Sequence, residues 1–111
     1  MIVEEIAPGD RAPLHRHPVD EVVFVVSGSN QFTLGDQTVV AEAGSTVFVP
    51  AGVSHGQENP GPDILRIQAL FPGTEIEIEM LERNPAPGAE GESPRRVVYD
   101  ARTGEFSVLD G

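Results

Sequence analysis

Short apolar stretches separated by glycine and proline run along most of the chain. The clearest is Glu21–Ser27, where a run of valine and phenylalanine predicts a strand that is buried on both faces. Residues 75–81 instead alternate between glutamate and apolar side chains, which predicts a strand with one exposed face. Strands are also predicted at Ile2–Ile6, 31–34, 37–41, 45–49, 64–71, 95–99 and Glu105–Leu109.

This number of strands decides the fold class. About ten short strands in 111 residues cannot remain an open flat sheet, so we expect an all-β barrel or sandwich over residues 1–83. Residues 84–94 are rich in proline, glycine, alanine and glutamate, which is typical of a linker or loop. Residues 95–111 hold two predicted strands around Ala101-Arg102-Thr103-Gly104 and are expected to form a C-terminal β-hairpin.

The composition excludes several kinds of chemistry. The chain has no cysteine and all seven basic residues are arginine, so disulfides, thiolate metal sites and Schiff-base lysines are excluded. The net charge of −11 disfavours nucleic acids and anionic membranes as partners. No apolar run approaches about 18 residues and no secretory signal is evident, so we expect a cytoplasmic protein.

All three histidines fall in two short motifs, one being His15-Arg16-His17 and the other His55 just after Pro50-Ala51-Gly52. Alternate residues of a strand share a face, so the first two imidazoles can converge on one point. Glu21 is expected to open the neighbouring strand, and the Pro-Ala-Gly turn can direct His55 to the same point. Three imidazoles and one carboxylate form a ligand set for a first-row transition metal. We therefore predict one divalent ion (Fe, Mn, Ni, Cu, Co or Zn) at His15, His17, Glu21 and His55.

The glycines and prolines around these residues resemble the two motifs of the cupin superfamily. The first motif is Gly-x5-His-x-His-x(3,4)-Glu-x6-Gly, and the chain matches every fixed position from Gly9 to Gly28. The second is Gly-x5-Pro-x-Gly-x2-His-x3-Asn, which is matched in full from Gly44 to Asn59. The 15 residues between the motifs, 29–43, resemble the short spacer of small microbial, single-domain cupins.

The resemblance implies a small β-barrel, the jelly roll or double-stranded β-helix, with the metal inside it. Only eight residues precede Gly9, fewer than in many cupins, so the C-terminal hairpin is expected to fill the free edge of its own barrel or of a partner's barrel. Such exchange is common among cupins, and the doubly apolar strand Glu21–Ser27 fits it. We therefore expect a homodimer.

The ligand set leaves the reaction open. An octahedral ion would keep two positions for dioxygen, a hydroxy acid, an enediolate or a carbonyl. If Glu21 points inward, so do Val23 and Val25, and Phe32 and Leu34 can share an apolar lining that favours an apolar or aromatic small molecule. Our first hypothesis is a dioxygenase-type oxidoreductase. The alternatives are a metal-dependent lyase or isomerase and a cupin that binds a small molecule without turnover, since fold alone does not select among them.

Polar residues near the predicted ligands are candidates for supporting roles. Gln57 lies close to His55 in the sequence, and Arg66 and Gln68 lie on the following apolar strand. We name these three as second-sphere candidates, although a solvent-facing position is the simpler expectation for each. Arg16 alternates away from the predicted ligands and is expected outside the barrel. Asn59 is expected to form a turn rather than to bind metal.

Overall fold

The computed structural model describes residues 1–82 and 94–109, so the predicted loop at 84–94 lies outside the described residues apart from Pro94. The described part contains eleven strands and no helix. The strands are β1 (Ile2–Ile6), β2 (Arg11–Arg16), β3 (Glu21–Ser27), β4 (Ser29–Leu34), β5 (Gln37–Glu42), β6 (Thr46–Val49), β7 (His55–Glu58), β8 (Leu65–Leu70), β9 (Glu75–Met80), β10 (Arg96–Asp100) and β11 (Glu105–Leu109). No described segment is a helix that could span a membrane.

Two antiparallel sheets form the fold, which confirms the all-β jelly-roll prediction. The smaller sheet has the order β1-β8-β3-β6, and the larger has the order β11-β10-β9-β2-β7-β4-β5. Strands distant in sequence are neighbours in both sheets, as in a jelly roll. The inner faces of the two sheets share one apolar core, which includes Val23, Val25, Val49, Leu65 and Ile67 from the smaller sheet and Phe32 and Ala41 from the larger.

Within one chain, strand β3 is fully buried on its inner face only, so this chain alone does not supply the predicted burial of both faces. Val23 and Val25 face the core and are fully buried, whereas Val22 and Phe24 are half-buried and Val26 is exposed. Both edges of the strand are paired, with β8 on one side and β6 on the other. Within the described residues, however, no further layer covers the outer face of this sheet, so its apolar side chains meet solvent.

Strands β2 and β7, which carry His15 and His55, are not among the strands that the apolar pattern predicts. Strands β2 and β7 have histidine or glutamine at inward positions, so the alternation that marks a half-buried strand is missing. The other predicted strands are present, with bounds shifted by one or two residues. The largest such shift is at the start of β4, which begins at Ser29.

Two motif glycines serve tight turns. Gly28 has φ +87°, and a Cβ there would lie 2.8 Å from the backbone oxygen of Ile64. Gly52 has φ +80°, and its N–H donates a 2.8 Å hydrogen bond to the backbone carbonyl of His17. Both positions require a residue that tolerates positive φ, and the second joins the two motifs physically.

The C-terminal hairpin is present. Strand β10 pairs with β11 on one side and with β9 of the same chain on the other, so the hairpin extends the larger sheet at its edge. The rings of Tyr99 and Phe106 lie 4.7 Å apart across the hairpin. The apolar face of β9 thereby continues onto β10 and β11.

Candidate metal centre

Three strand ends bring the four predicted ligands together. His15 lies near the end of β2 and is directly opposite His55, the first residue of β7, in the antiparallel pairing of these strands. His17 follows one residue after β2 ends, and Glu21 opens β3. Because β2 and β7 belong to the larger sheet and β3 to the smaller, the cluster lies where the two inner faces meet.

The side chains of these residues converge on a small volume. Ring nitrogens of His15, His17 and His55 all lie within 4.8 Å of one another. The Glu21 Oε1 atom lies 2.9 Å from His55 Nε2 and 3.3 Å from His17 Nε2. Ligand atoms held at about 2.1 Å from one ion are separated by about 3–4 Å, so these spacings suit a shared ion.

Backbone carbonyls select the tautomer of every ring. A carbonyl oxygen can only accept, so each Nδ1 atom must carry the proton and donate it, which leaves the Nε2 lone pair free. This arrangement is typical of metal-binding histidines, whose second nitrogen is held by a carbonyl or carboxylate. The donor–acceptor pairs are His15 with Pro13 at 2.7 Å, His17 with Glu77 at 2.9 Å and His55 with Val53 at 3.1 Å.

The converging atoms lack other partners, which is the test of whether the site fits a metal. His17 Nε2, His55 Nε2 and Glu21 Oε1 are buried and have no hydrogen-bond partner of good geometry among the described residues. Buried polar atoms left in this state cost free energy unless something binds them. A divalent cation satisfies all three, because each atom offers a lone pair. The residues present therefore fit the predicted ion.

The charge states also suit a cation. Burial, followed by the nearby His55 ring, lowers the pKa of His15 from 6.5 to about 4, so this imidazole is neutral at pH 7. Burial by itself would raise the pKa of Glu21, but hydrogen bonds that the His17 and His55 rings donate when Nε2 carries a proton outweigh burial and lower that pKa to about 2; a bound cation would take the place of those protons. Neutral imidazole and ionised carboxylate are the forms that bind metals.

Apolar side chains surround the cluster. The Phe32 ring is fully buried and stacks parallel to the His55 ring, with centroids 6.0 Å apart. The Phe71 ring meets His17 edge to face at 4.9 Å. Val23, on the same face of β3 as Glu21, is also fully buried. This lining gives the cluster an apolar wall on these sides and matches the predicted apolar interior.

One cavity reaches the cluster from outside. Its volume is about 350 Å³, within the range of small-molecule sites. Two ion pairs, Arg16–Glu79 and Arg96–Glu77, lie on its wall. The full lining consists of Arg16, His17, Pro18, Gly52, Glu77, Glu79 and Arg96. His17 is the predicted ligand that this cavity touches.

The predicted second-sphere residues separate into two groups. Gln57 is buried and accepts a 2.8 Å hydrogen bond from the side chain of buried Asn30, a partner that sequence reasoning did not name. Arg66 and Gln68 point to the outer face of β8, where the Arg66 guanidinium lies 3.4 Å from Glu5. The structure does not bring these last two to the histidines, because residues 65, 67 and 69 of β8 occupy the inner face.

Asn59 shapes the end of the second motif and lies away from the ligand group. Its Oδ1 atom accepts from the N–H of Gly61 at 3.0 Å, which closes the predicted turn. Its Nδ2 group donates 2.8 Å hydrogen bonds to the carbonyls of Ile6 and Asp63. The residue is fully buried and links β1 to the loop before β8.

A second carboxylate inside the barrel was missed by sequence reasoning. Glu4 of β1 lies on the strand face that also carries Ile2 and buried Ile6. Burial and the negative charge of Glu21 raise the pKa of Glu4, while His17 and His55 act to lower it. The inner face therefore carries a carboxyl besides that of Glu21.

The fold and this cluster define a small double-sheet β protein with a three-histidine, one-carboxylate candidate metal centre. The cupin domain family matches residues 2–71, more than half of the chain, so this chain belongs to the cupin family. An uncharacterised protein of Streptomyces coelicolor is 46% identical over 55 residues, which cover 50% of this chain and 51% of that protein. The chain thus matches only about half the length of that relative.

Two solved structures show the same architecture. Oxalate decarboxylase from Bacillus subtilis is 28% identical with a TM-score of 0.59, and the match covers 62% of this chain and 20% of that chain. That enzyme has Mn(II) centres. A putative sugar phosphate isomerase from Acidithiobacillus ferrooxidans has a TM-score of 0.63 at 20% identity, over 97% of this chain and 64% of that chain, and shows the likeness of fold alone.

Proposed function

We propose that this protein is a metal-dependent enzyme in which His15, His17, Glu21 and His55 hold one divalent transition-metal ion. The observation that supports this most is the set of buried, unpartnered Nε2 and Oε1 atoms, together with the carbonyls that fix all three imidazole tautomers. A packing role for the histidines would leave these atoms without compensation.

The reaction class that we place first is oxygenase chemistry on a small organic molecule. When bound, the ion would supply open coordination positions for dioxygen and substrate. The apolar lining by Phe32, Phe71 and Val23 suits an apolar or aromatic group. The cavity beside His17 is the route by which we propose that the substrate enters.

A second candidate is lyase or isomerase chemistry without a change in redox state. Two observations favour it. Glu4 provides a second carboxyl on the inner face of β1, and burial raises its pKa, which suits a group that gives or takes a proton in such reactions. The 28% identity to an oxalate decarboxylase gives a precedent for a decarboxylase on the same fold. In this case the ion would act as a Lewis acid.

Metal content and oxygen dependence separate these candidates. The protein, purified without tag or chelator, is analysed by plasma mass spectrometry and then reconstituted with Fe(II) or Zn(II). Substrate-dependent oxygen uptake by the Fe(II) form alone supports the oxygenase. Turnover by the Zn(II) form in anaerobic buffer supports the lyase or isomerase. A ligand that raises the melting temperature and is recovered unchanged from both forms would mean that the protein binds without catalysis.

We also propose a homodimer in which the hairpin of each copy covers the other copy's smaller sheet. Ile76, Tyr99 and Phe106 lie directly opposite one another on one face of β9, β10 and β11. Ile76 is 1% exposed whereas Phe106 is 66% exposed. The same sheet face is therefore buried at β9 and exposed to solvent at β11. The outer face of the smaller sheet presents Phe48, which is 55% exposed, and Leu70 on either side of Val22. Two uncovered apolar faces on one chain suit each other in a symmetric pair.

A further inference from the structure

The three imidazole rings of the candidate metal centre differ in where their supporting carbonyls come from. His15 and His55 each donate to a carbonyl two residues earlier in the chain, so each of these rings is oriented within its own segment. His17 donates instead to the carbonyl of Glu77, which is 60 residues away on β9. The orientation of His17 therefore depends directly on the position of β9.

A proline explains why this carbonyl is available to a side chain. The antiparallel pairing of β2 with β9 reaches Arg16 opposite Glu79 and stops there, where β2 ends. Continuing the register by two residues on each strand would place Pro18 opposite Glu77. Because proline has no N–H to donate, the backbone that follows β2 cannot extend the ladder to the Glu77 carbonyl. The Nδ1–H group of His17 takes that place.

The C-terminal hairpin holds this part of β9 in the sheet. Strand β2 pairs only with the last two residues of β9, whereas β10 pairs with every residue of β9 except Met80. Val98 of β10 lies directly opposite Glu77, and Arg96 forms an ion pair with the Glu77 side chain. In the part of the chain that the structure describes, residues 75–78 thus have no ladder partner other than β10.

We propose that the hairpin sets the metal affinity of the centre through His17, with Val98 as a positioning residue; this inference rests on the proposed function. Pairing with β10 holds the Glu77 carbonyl in place, and that carbonyl holds the His17 ring. The ring then directs its Nε2 atom at the Glu21 carboxylate, 3.3 Å away. Loosening the hairpin would free the ring to rotate, so that binding an ion would also have to order it, at a cost in conformational entropy.

Replacing Val98 with glycine in the full-length protein tests this link. Glycine weakens a strand, and the substitution leaves every histidine and every carbonyl acceptor in the chain. Val40→Gly is the matched control, because it makes the same change on β5, an edge strand of the same sheet that is separated from β9 by β4, β7 and β2. Affinity for Zn(II) is measured by competition with a chelator. Solvent exchange of the three imidazole Nδ1–H protons is measured by NMR on the metal-free protein.

The expected effect is confined to one ring. Val98→Gly should bind Zn(II) about tenfold more weakly than the parent, as is typical when the hydrogen-bond support of a metal ligand is weakened. The His17 Nδ1–H proton should exchange faster in this variant, whereas the His15 and His55 protons should exchange as in the parent. Val40→Gly should match the parent in both measurements. A general loss of stability would act on all three rings and would not give this pattern.

Other outcomes decide against the proposal. Equal zinc affinities in Val98→Gly and Val40→Gly, or exchange that accelerates equally at all three rings, would overturn the role of the hairpin and leave the proposed metal site intact. A parent protein that binds no zinc would overturn the proposed function and this inference with it, whatever the exchange data show.

Should Val98→Gly not fold, exchange in the parent protein decides. With increasing urea, below the concentration that unfolds the whole protein, the His17 Nδ1–H proton should become exchangeable together with the backbone amide protons of β10, because elements that open as one unit lose protection together. A His17 proton that stays protected after those amides have exchanged contradicts the proposal.

Discussion

The Nδ1 atom of His17 donates a 2.9 Å hydrogen bond to the backbone carbonyl of Glu77, which is 60 residues away in the sequence. Glu77 lies in β9, the strand to which the C-terminal hairpin is attached. The bond fixes the ring orientation and directs Nε2 toward Glu21. One end of the candidate metal centre is thus positioned by a part of the chain outside both histidine motifs.

Replacing His17 tests the ligand assignment. His17→Ala should lower the affinity for metal by at least about 100-fold, since even changes one layer out from a metal cost about 10- to 100-fold. The barrel should remain folded, because the apolar core is untouched. Metal content by mass spectrometry and far-UV circular dichroism measure the two effects. Arg16→Ala is the matched control: its ion pair with Glu79 is exposed and screened by solvent, and its metal content should not change. Undiminished metal in His17→Ala would refute the assignment.

The metal-free protein should lose stability on mild acidification. Burial holds the pKa of His15 at about 4, well below its ordinary value of 6.5. Between these values the unfolded chain takes up a proton that the folded protein does not, so the free energy of unfolding falls as the pH falls from 6.5 toward 4. Urea unfolding at pH 7, 6 and 5 measures this slope.

The matched variant for this prediction is His15→Gln, which removes the titrating group. Its unfolding free energy should change less between pH 7 and 5 than that of the parent. Glu21 stays ionised in the folded protein because its pKa is lowered to about 2, and in the unfolded chain its ordinary value of 4.5 lies below the range tested. Equal slopes in the two proteins would show that His15 does not supply the effect.

Gly28 should tolerate no side chain. Gly28→Ala is expected to reduce the free energy of unfolding by about 2 kcal/mol or more, since φ +87° is strained for alanine and the new Cβ would meet the Ile64 backbone at 2.8 Å. Gly73→Ala is the control, because no atom lies within 4 Å of a Cβ there. Denaturant unfolding of both variants gives the comparison, and equal stabilities would contradict the turn geometry.

The proposed dimer predicts that a charge on either apolar face separates the subunits. Phe106→Glu and Phe48→Glu should each give monomers in light scattering coupled to size exclusion, because either one places a carboxylate in an apolar contact. Ser107→Glu lies on the opposite face of β11 and should leave the mass unchanged. A parent protein that is already monomeric at micromolar concentration would end this proposal.

The sequence predicted the candidate metal centre better than it predicted the surroundings. The motif glycines form turns with positive φ, a conformation that other residues rarely adopt. The positions of these turns, and so of the strands that carry His17 and His55 to the centre, can therefore be read from the sequence. The alternation of Leu65, Ile67 and Ala69 on β8 also contains the information that Arg66 and Gln68 face outward. That signal is readable from the chain and agrees with the solvent-facing position that was the simpler expectation for both residues.

Glu4 could not have been assigned in the same way. Strand β1 reads Ile-Val-Glu-Glu-Ile, so each of its two faces receives one glutamate beside apolar residues. The pattern does not show which of the two glutamates faces inward. The pairing of Glu4 with Ile67 shows that it is Glu4. The pairing of buried Asn30 with Gln57 is equally inaccessible, because it depends on β4 lying beside β7. Contacts between strands that are distant in sequence are the part of this fold that the local sequence pattern cannot predict.

The pairing of Ile2 with Ala69 also has a consequence for how the protein folds. Strand β1 pairs with β8, and β3 lies between β6 and β8, so the smaller sheet cannot close until residues near 70 are available. Chains dominated by such distant pairings fold slowly, in milliseconds to seconds. During that time one edge of the valine-rich β3 is unpaired and prone to aggregation. An ion captured early by His15, His17 and Glu21 would hold β2 and β3 together while the chain waits for β8, and expression in metal-depleted medium should then yield more insoluble protein.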